Sequence, residues 1–309
     1  MSKNKQVQKR YKKLLLTLVK LVVSIGLILY VFSKIDTQST FRILKSISPI
    51  NLILGFLLVL LSKIIASYRL LSYFRIIQIP IKAQTNLQLY FLGMFYNLFL
   101  PGGIGGDAYK AYILKKQNPQ SSSKRTIAVL VLDRISGLFA LFTIGVFVLA
   151  SLQISIFNIN SRWSILLLAL GLLCYRIVII KGFAYTKTIF WSTIVYSLFV
   201  QGLQVISILF ILNGLNISTD MHPYVLVFLC SSIVSVIPLT IGGIGSRELT
   251  FVYGAQWFNL SEEKSLGTSM LFFLLNALVS LIGIYYYFNS IEFQKDSTEV
   301  NNDKRSPAP

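Results

Sequence analysis

The sequence predicts an all-α integral membrane protein, and three observations carry that prediction. Charged residues make up only 13% of the 309-residue chain, where a soluble domain carries about a quarter. Apolar residues reach 54% and gather into runs of about 18 or more, the length a helix needs to cross a hydrocarbon core of about 30 Å. Inside those runs apolar residues do not alternate with polar ones, as they would in the shorter strands of a membrane barrel.

Taken in order, six runs read as full spans: Leu14–Phe32, Ile50–Ser67, Thr126–Ala150, Trp163–Ile180, Thr188–Leu212 and Thr268–Phe288. Lys9, Arg10, Lys12 and Lys13 before the first run resemble the start of a signal peptide. The run exceeds a signal's apolar region, however, and Val31–Ile35 offers no small-x-small cleavage site, so it reads as a retained span. Two further apolar stretches are short for a crossing. Asn86–Leu100 ends at Pro101, followed by Gly102, Gly103, Ile104, Gly105, Gly106 and Asp107. Tyr224–Ile237 ends at Pro238, and Gly242, Gly243, Ile244, Gly245, Ser246, Arg247 and Glu248 follow. A second half comes after each, Ala108–Leu114 and Leu249–Phe258.

Charge decides how these two stretches run. If each crossed once, giving eight full spans, the loop with Lys110, Lys115, Lys116, Lys124 and Arg125 would lie outside, against the positive-inside rule. If each is a re-entrant hairpin, twenty of the 29 Lys and Arg fall on the cytoplasmic side and only Lys34, Arg42, Lys45, Arg162 and Lys264 fall outside. The expected architecture is therefore six transmembrane helices plus two Gly/Pro-broken re-entrant hairpins, with eight full spans as the alternative. Both termini are cytoplasmic in this reading, in a bacterial or archaeal plasma membrane. Residues 1–13 form a basic N-terminus, 14–150 a first membrane repeat and 163–288 a second within one membrane domain. Residues 289–309 form a polar, disordered tail.

Each repeat reads as span, span, hairpin, span. Three crossings make the second inverted relative to the first, and the hairpin tips match, Gly-Gly-Ile-Gly-Gly-Asp against Gly-Gly-Ile-Gly-Ser-Arg-Glu. Inverted repeats broken at corresponding places point to a transporter-like site near the midplane. At each tip proline ends one half-helix, glycines permit positive φ and close approach, and free N–H groups of the next half-helix suit an anion such as phosphate.

Charge inside a membrane is costly and therefore informative. Asp107, Asp133 and Glu248 are the carboxylates in or beside membrane segments, with Lys110, Arg134 and Arg247 as candidate partners. Asp107 and Glu248 read either as caps and ion-pair partners or as direct participants in transport. Asp133-Arg134 reads as an interfacial ion pair, or as an Arg placed to meet a headgroup. Asn97, one turn before Pro101, would bind freed carbonyls or line the cavity. Tyr68-Arg69 reads as a cytoplasmic-interface anchor, and Lys20 and Lys63 as snorkelling residues without function.

Enzyme chemistry is poorly served. The single histidine, His222, reads as a surface residue in an outside loop, and Cys174 and Cys230 as small buried hydrophobes. No catalytic group, metal site or cofactor is expected, and the Gly102–Asp107 segment lacks the ending of a nucleotide-binding loop. The formal charge of +18 fits topology and attraction to anionic lipid, with no nucleic-acid partner.

The string Asn97–Leu114, the block Leu132–Leu138 and the stretch Ile237–Glu248 resemble, in order and spacing, the signatures of the lysylphosphatidylglycerol synthase transmembrane-region (flippase-like) family. The resemblance covers about residues 10–290, and Arg69 is similar to that family's Arg after the second span. Lys110 departs from it: many members have Arg there, so charge is kept but bidentate phosphate contact is lost. The resemblance implies a protein that binds an anionic, aminoacylated or polyprenyl-linked phospholipid and moves it between leaflets. Full-length synthases add a soluble aminoacyl-transferase domain, and the short tail here is expected not to form one, so no transferase activity is expected. The partners implied are a membrane lipid, with a soluble transferase or a second copy of the chain. The alternatives are a membrane subunit or remnant of an aminoacyl-phosphatidylglycerol synthase, and an intramembrane lipid-modifying enzyme.

Overall fold

The computed structural model describes residues 47–99, 105–151, 161–218, 221–236, 246–289, 291 and 293. Among them all regular structure is helical: α1 (Pro49–Ile76), α2 (Ala83–Phe99), α3 (Gly105–Gln117), α4 (Ser123–Ser151), α5 (Ser161–Gly182), a 3₁₀ turn (Ala184–Ile189), α6 (Phe190–Gly214), α7 (Met221–Val236), α8 (Ser246–Trp257) and α9 (Glu262–Phe288). The expected first span, both glycine tips and most of the tail lie outside the described residues.

Local chemistry sets the ends. Pro49 opens α1 in the first turn, where its missing N–H has no helical partner to lose. Ser261 caps α9 by accepting from the Lys264 amide, and Glu262 and Glu263 follow in the first turn, where negative charge complements the dipole. α1, α6 and α8 end alike. Gln78, Asn216 and Asn259 take left-handed φ of 59°, 55° and 51°, and the next amide reaches back five residues: Ile79 to Phe74, Ile217 to Leu212 and Leu260 to Ala255. That is the Schellman closure, and α1 and α6 hold equivalent places in the expected repeats.

Five helices are long and apolar enough to cross a membrane: Pro49–Ile76, Ser123–Ser151, Trp163–Gly182, Ala184–Gly214 and Glu262–Phe288. With large apolar side chains such as Leu57, Phe147, Leu170, Leu173 and Phe199 on their outer faces, the chain is a multi-pass all-α membrane protein. Cys174 and Cys230 are exposed on that outer surface, which corrects the expectation of buried cysteines. His222 is exposed too, but inside the first turn of α7 instead of a loop.

The short helices form hairpins. Lys110 sits over the Tyr90 ring, Tyr109 lies tilted against Tyr96 and the Gly106 amide meets Asn97, so α3 runs back along α2. Arg247 meets Ser235 and Gly254 faces Val227, so α8 likewise runs back along α7. Each stretch thus doubles back antiparallel on itself, as a re-entrant hairpin would.

Helix packing repeats the sequence symmetry. α1 packs on α6, its counterpart; α2 on α9 is answered by α7 on α4, and α4 on α6 by α9 on α1. Small residues allow the central α1–α6 approach: the Ser207 hydroxyl donates to the Gly55 carbonyl at 3.0 Å. α2 and α9 meet at Gly283, where a Cβ would overlap the Phe91 carbonyl. One end of the bundle gathers Lys82, Lys115, Lys116, Lys124, Arg125, Lys181 and Lys187, and the other carries Lys264 with Glu262 and Glu263.

Candidate functional site

The first hairpin is pinned at its base by one side chain. Asn97 Oδ1 accepts from the Gly106 amide at 2.7 Å, satisfying a free N–H of the α3 start. Asn97 thus serves an amide, not the freed carbonyls expected for it. The contact requires close approach, because a Cβ on Gly106 would overlap the Gly93 carbonyl. Gly105 is the first residue of α3. Asp107 follows in that first turn and accepts from Lys110 Nζ at 3.1 Å and from Arg134 Nε at 2.7 Å, with Arg134 Nη2 at 2.6 Å. Dipole placement and ion pairing coexist there. Lys110 is only 4% exposed and lies 4.6 Å from the Tyr90 ring centre.

Asp133 and Arg134 are neighbours on α4 but do not serve each other. Arg134 reaches α3, while Asp133 takes Arg69 Nε at 2.7 Å, and Arg69 Nη1 donates to Ser197 Oγ at 2.9 Å. Consecutive residues on a helix point about 100° apart, so one acid–base dipeptide ties α4 both to the hairpin and to the α1–α6 pair. Arg69 is 5% exposed while Tyr68 is 47% exposed. The interface-anchor reading therefore fails for Arg69: α1 continues to Ile76, and the Asp133 carboxylate draws Arg69 inside. Arg69 and Lys110 leave the cytoplasmic charge count, and the asymmetry against five outside cations survives their loss.

In the second hairpin Arg247 stands in the first turn of α8. Its Nη2 donates to Ser235 Oγ at 3.2 Å, and its guanidinium lies 5.1 Å from the Phe272 ring centre. Its Nη1 is buried with no hydrogen-bond partner among the described residues. Glu248 follows in the same turn and is itself partnered. Pro101, Gly102, Gly103, Pro238, Gly242, Gly243 and Gly245 lie outside the described residues.

A cavity of about 210 Å³ lies among these groups, lined by Lys63, Arg69 and Arg247 together with Gln201, Gln204, Ser232, Tyr90 and Asn276. Lys63, Gln204 and Asn276 stand near the middles of α1, α6 and α9, so the cavity sits at mid-bundle. Lys63 was expected to snorkel from a helix end; the extension of α1 to Ile76 puts it at the centre instead. An outward groove of about 560 Å³ runs between α3 and α4, lined by Ala108, Ala111, Tyr112, Ile127 and Val131, with Asp107 and Arg134 also in its wall.

Sequence reasoning found Arg247, Asp107 and Arg134 but passed over Lys63, Gln201, Gln204, Tyr90 and Ser232. A signal existed: Ser197, Gln201 and Gln204 recur at i, i+4 and i+7, a polar stripe on one face of an otherwise apolar span. A cavity with cations and amide donors in a low-dielectric interior attracts anions far more strongly than the same groups would in water.

Comparison with known sequences bears on what that cavity serves. The lysylphosphatidylglycerol synthase TM region matches residues 17–190 and 179–283, which together span both repeats. The chain belongs to that family. Membership in the lysylphosphatidylglycerol synthase TM-region family ties the protein to lipid handling in a membrane. The stretches that carried the resemblance supply described site residues: Asn97, Gly106, Asp107 and Lys110 from the first, Asp133 and Arg134 from the second, and Arg247 and Glu248 from the third. No curated protein matches the chain.

Proposed function

We propose that the protein is a flippase-like carrier that takes a phospholipid headgroup into the mid-bundle cavity while the acyl chains stay in the bilayer. The observation that carries this reading is the placement of Lys63, Arg69 and Arg247 around one polar cavity at the centre of three long apolar helices. Buried cations are retained in membranes where a substrate or partner group uses them. A separate groove between α3 and α4, mostly apolar and bordered by Arg134, is where an acyl chain would lie in this reading.

In this reading the basic end of the bundle faces the cytoplasm, and residues 14–150 and 163–288 form one membrane domain with inverted halves. No nucleotide-binding loop stands in the sequence, so movement is downhill or driven by a gradient or a partner. A soluble transferase or a second copy of the chain would be such a partner. Lipid translocation in proteoliposomes tests the assignment: Arg247→Ala and Arg134→Ala are expected to slow translocation, and wild-type rates in both would sink it.

A further inference from the structure

The cavity's own chemistry bears on which headgroup it takes. Lys63, Arg69 and Arg247 supply three cations to its lining, and no described lining residue is a carboxylate. The nearby carboxylates already have partners. Asp107 is held by Lys110 and Arg134, Asp133 by Arg69, and Glu248 has partners of its own. An ammonium group could still settle on an aromatic face, but the Tyr90 and Phe272 rings each already carry a cation. Lys110 covers the ring of Tyr90, and Arg247 lies against Phe272.

An anion meets the opposite situation. Among the described residues Arg247 Nη1 and Ser232 Oγ are buried without hydrogen-bond partners, and Gln201 and Gln204 border the same space. A buried guanidinium nitrogen left without an acceptor is costly, and a phosphate oxygen would satisfy it. The described charged groups in and around the site are Lys63, Arg69, Lys110, Arg134 and Arg247 against Asp107, Asp133 and Glu248. That is an excess of two positive charges in an apolar surrounding. A phosphomonoester at neutral pH carries about −1.5 to −2, which closes the difference. A singly charged phosphodiester closes half of it, and a lysyl ester, with two ammonium groups, widens it.

We propose that this cavity selects lipids whose headgroup bears a terminal phosphate or diphosphate, and that it rejects aminoacylated, net-cationic headgroups. The proposal rests on the headgroup reading above and narrows it to one substrate class. It also separates the chain's own specificity from the aminoacyl lipid in its family's name.

The test is competitive binding to the purified full chain in nanodiscs of zwitterionic lipid, with four probes: phosphatidic acid, phosphatidylglycerol, lysylphosphatidylglycerol and inorganic phosphate. Phosphatidic acid should bind on the order of tenfold tighter than phosphatidylglycerol, as one unit of charge about 12 Å from its partner at an effective dielectric of about 20 implies, and lysylphosphatidylglycerol, two units more positive than phosphatidylglycerol, should be weaker again by more than that factor. Lys63→Met with Arg247→Met should erase the preference for phosphatidic acid, and Lys63→Arg, which keeps the charge, should retain it. Equal or tighter binding of lysylphosphatidylglycerol in the wild-type chain overturns the proposal, and that ranking needs no variant to fold. Inorganic phosphate competing as well as phosphatidic acid makes the ligand a free anion and overturns the lipid source. Binding of no lipid at all rejects the headgroup reading itself, a different outcome from binding with the wrong preference.

Discussion

Truncating Arg69 should destabilise the protein through the carboxylate it leaves behind. The Arg69 and Asp133 side chains are 6% and 14% exposed and meet at 2.7 Å, which places their charge centres about 4 Å apart, worth roughly 4 kcal/mol at an effective dielectric of 20. Ser197 keeps its own donation to the Thr193 carbonyl at 2.7 Å, so the damage in Arg69→Met falls on Asp133. Leaving one member of a buried pair uncompensated costs about 3–5 kcal/mol, whereas replacing both with apolar groups of similar size is often near neutral. Arg69→Met and Asp133→Leu are therefore each predicted to lose about 3–5 kcal/mol, and the double variant to recover most of it. Equilibrium unfolding in mixed micelles, followed by tryptophan fluorescence, reads the whole cycle. A double variant that loses the sum of the two single losses would refute this reasoning, because no coupling would then join the pair.

The hairpins give further predictions. Gly106→Ala should cost about 3 kcal/mol, the upper end for overpacking, because the added Cβ overlaps backbone at Gly93; Gly145→Ala, with open space around it, should be neutral or stabilising by up to about 1 kcal/mol, and the same unfolding assay compares them. Asn97→Ala removes the acceptor of the Gly106 amide and should cost about 1 kcal/mol, as loss of a helix cap does; Asn97→Asp should retain most of the stability, and equal losses in both would deny the acceptor its role. For topology, cysteines placed at Lys116 and Asn259 should label from opposite faces, the first from the cytoplasm, and labelling of both from one face would overturn the orientation.

The long spans were legible because an uncharged apolar run of about 18 residues matches the thickness of a bilayer and exceeds what a soluble core helix needs. The hairpins were legible for a different reason: Pro101 and Pro238 each interrupt a stretch too short to cross and precede matching glycines, so the duplicated break stood out. Partners across the bundle were harder. Asp133 and Arg134 look like an ion pair when read along the chain, yet the helical twist sends them to different neighbours, and only the packing of α4 says which. Lys63 was misplaced because polar residues after Ser67 concealed the continuation of α1 to Ile76. Helix length, once known, moved it from an end to the centre. Arg69 went astray by the same route, since a charge after an apolar run looks interfacial until its buried partner appears. That Arg247 Nη1 is buried with no hydrogen-bond partner among the described residues leaves no trace in sequence, being a property of what surrounds it.

The central claim is that a lipid headgroup occupies the mid-bundle cavity, and crosslinking addresses it most directly. A phospholipid carrying a photoreactive group beside its phosphate would be incorporated with the full chain in nanodiscs, and the adducts mapped by mass spectrometry. Adducts are predicted near the middles of α1, α6 and α9, around Lys63, Gln204 and Asn276, and unlabelled phosphatidic acid should compete them away. Adducts confined to the helix ends and outer faces, with none at those three positions, would contradict the claim.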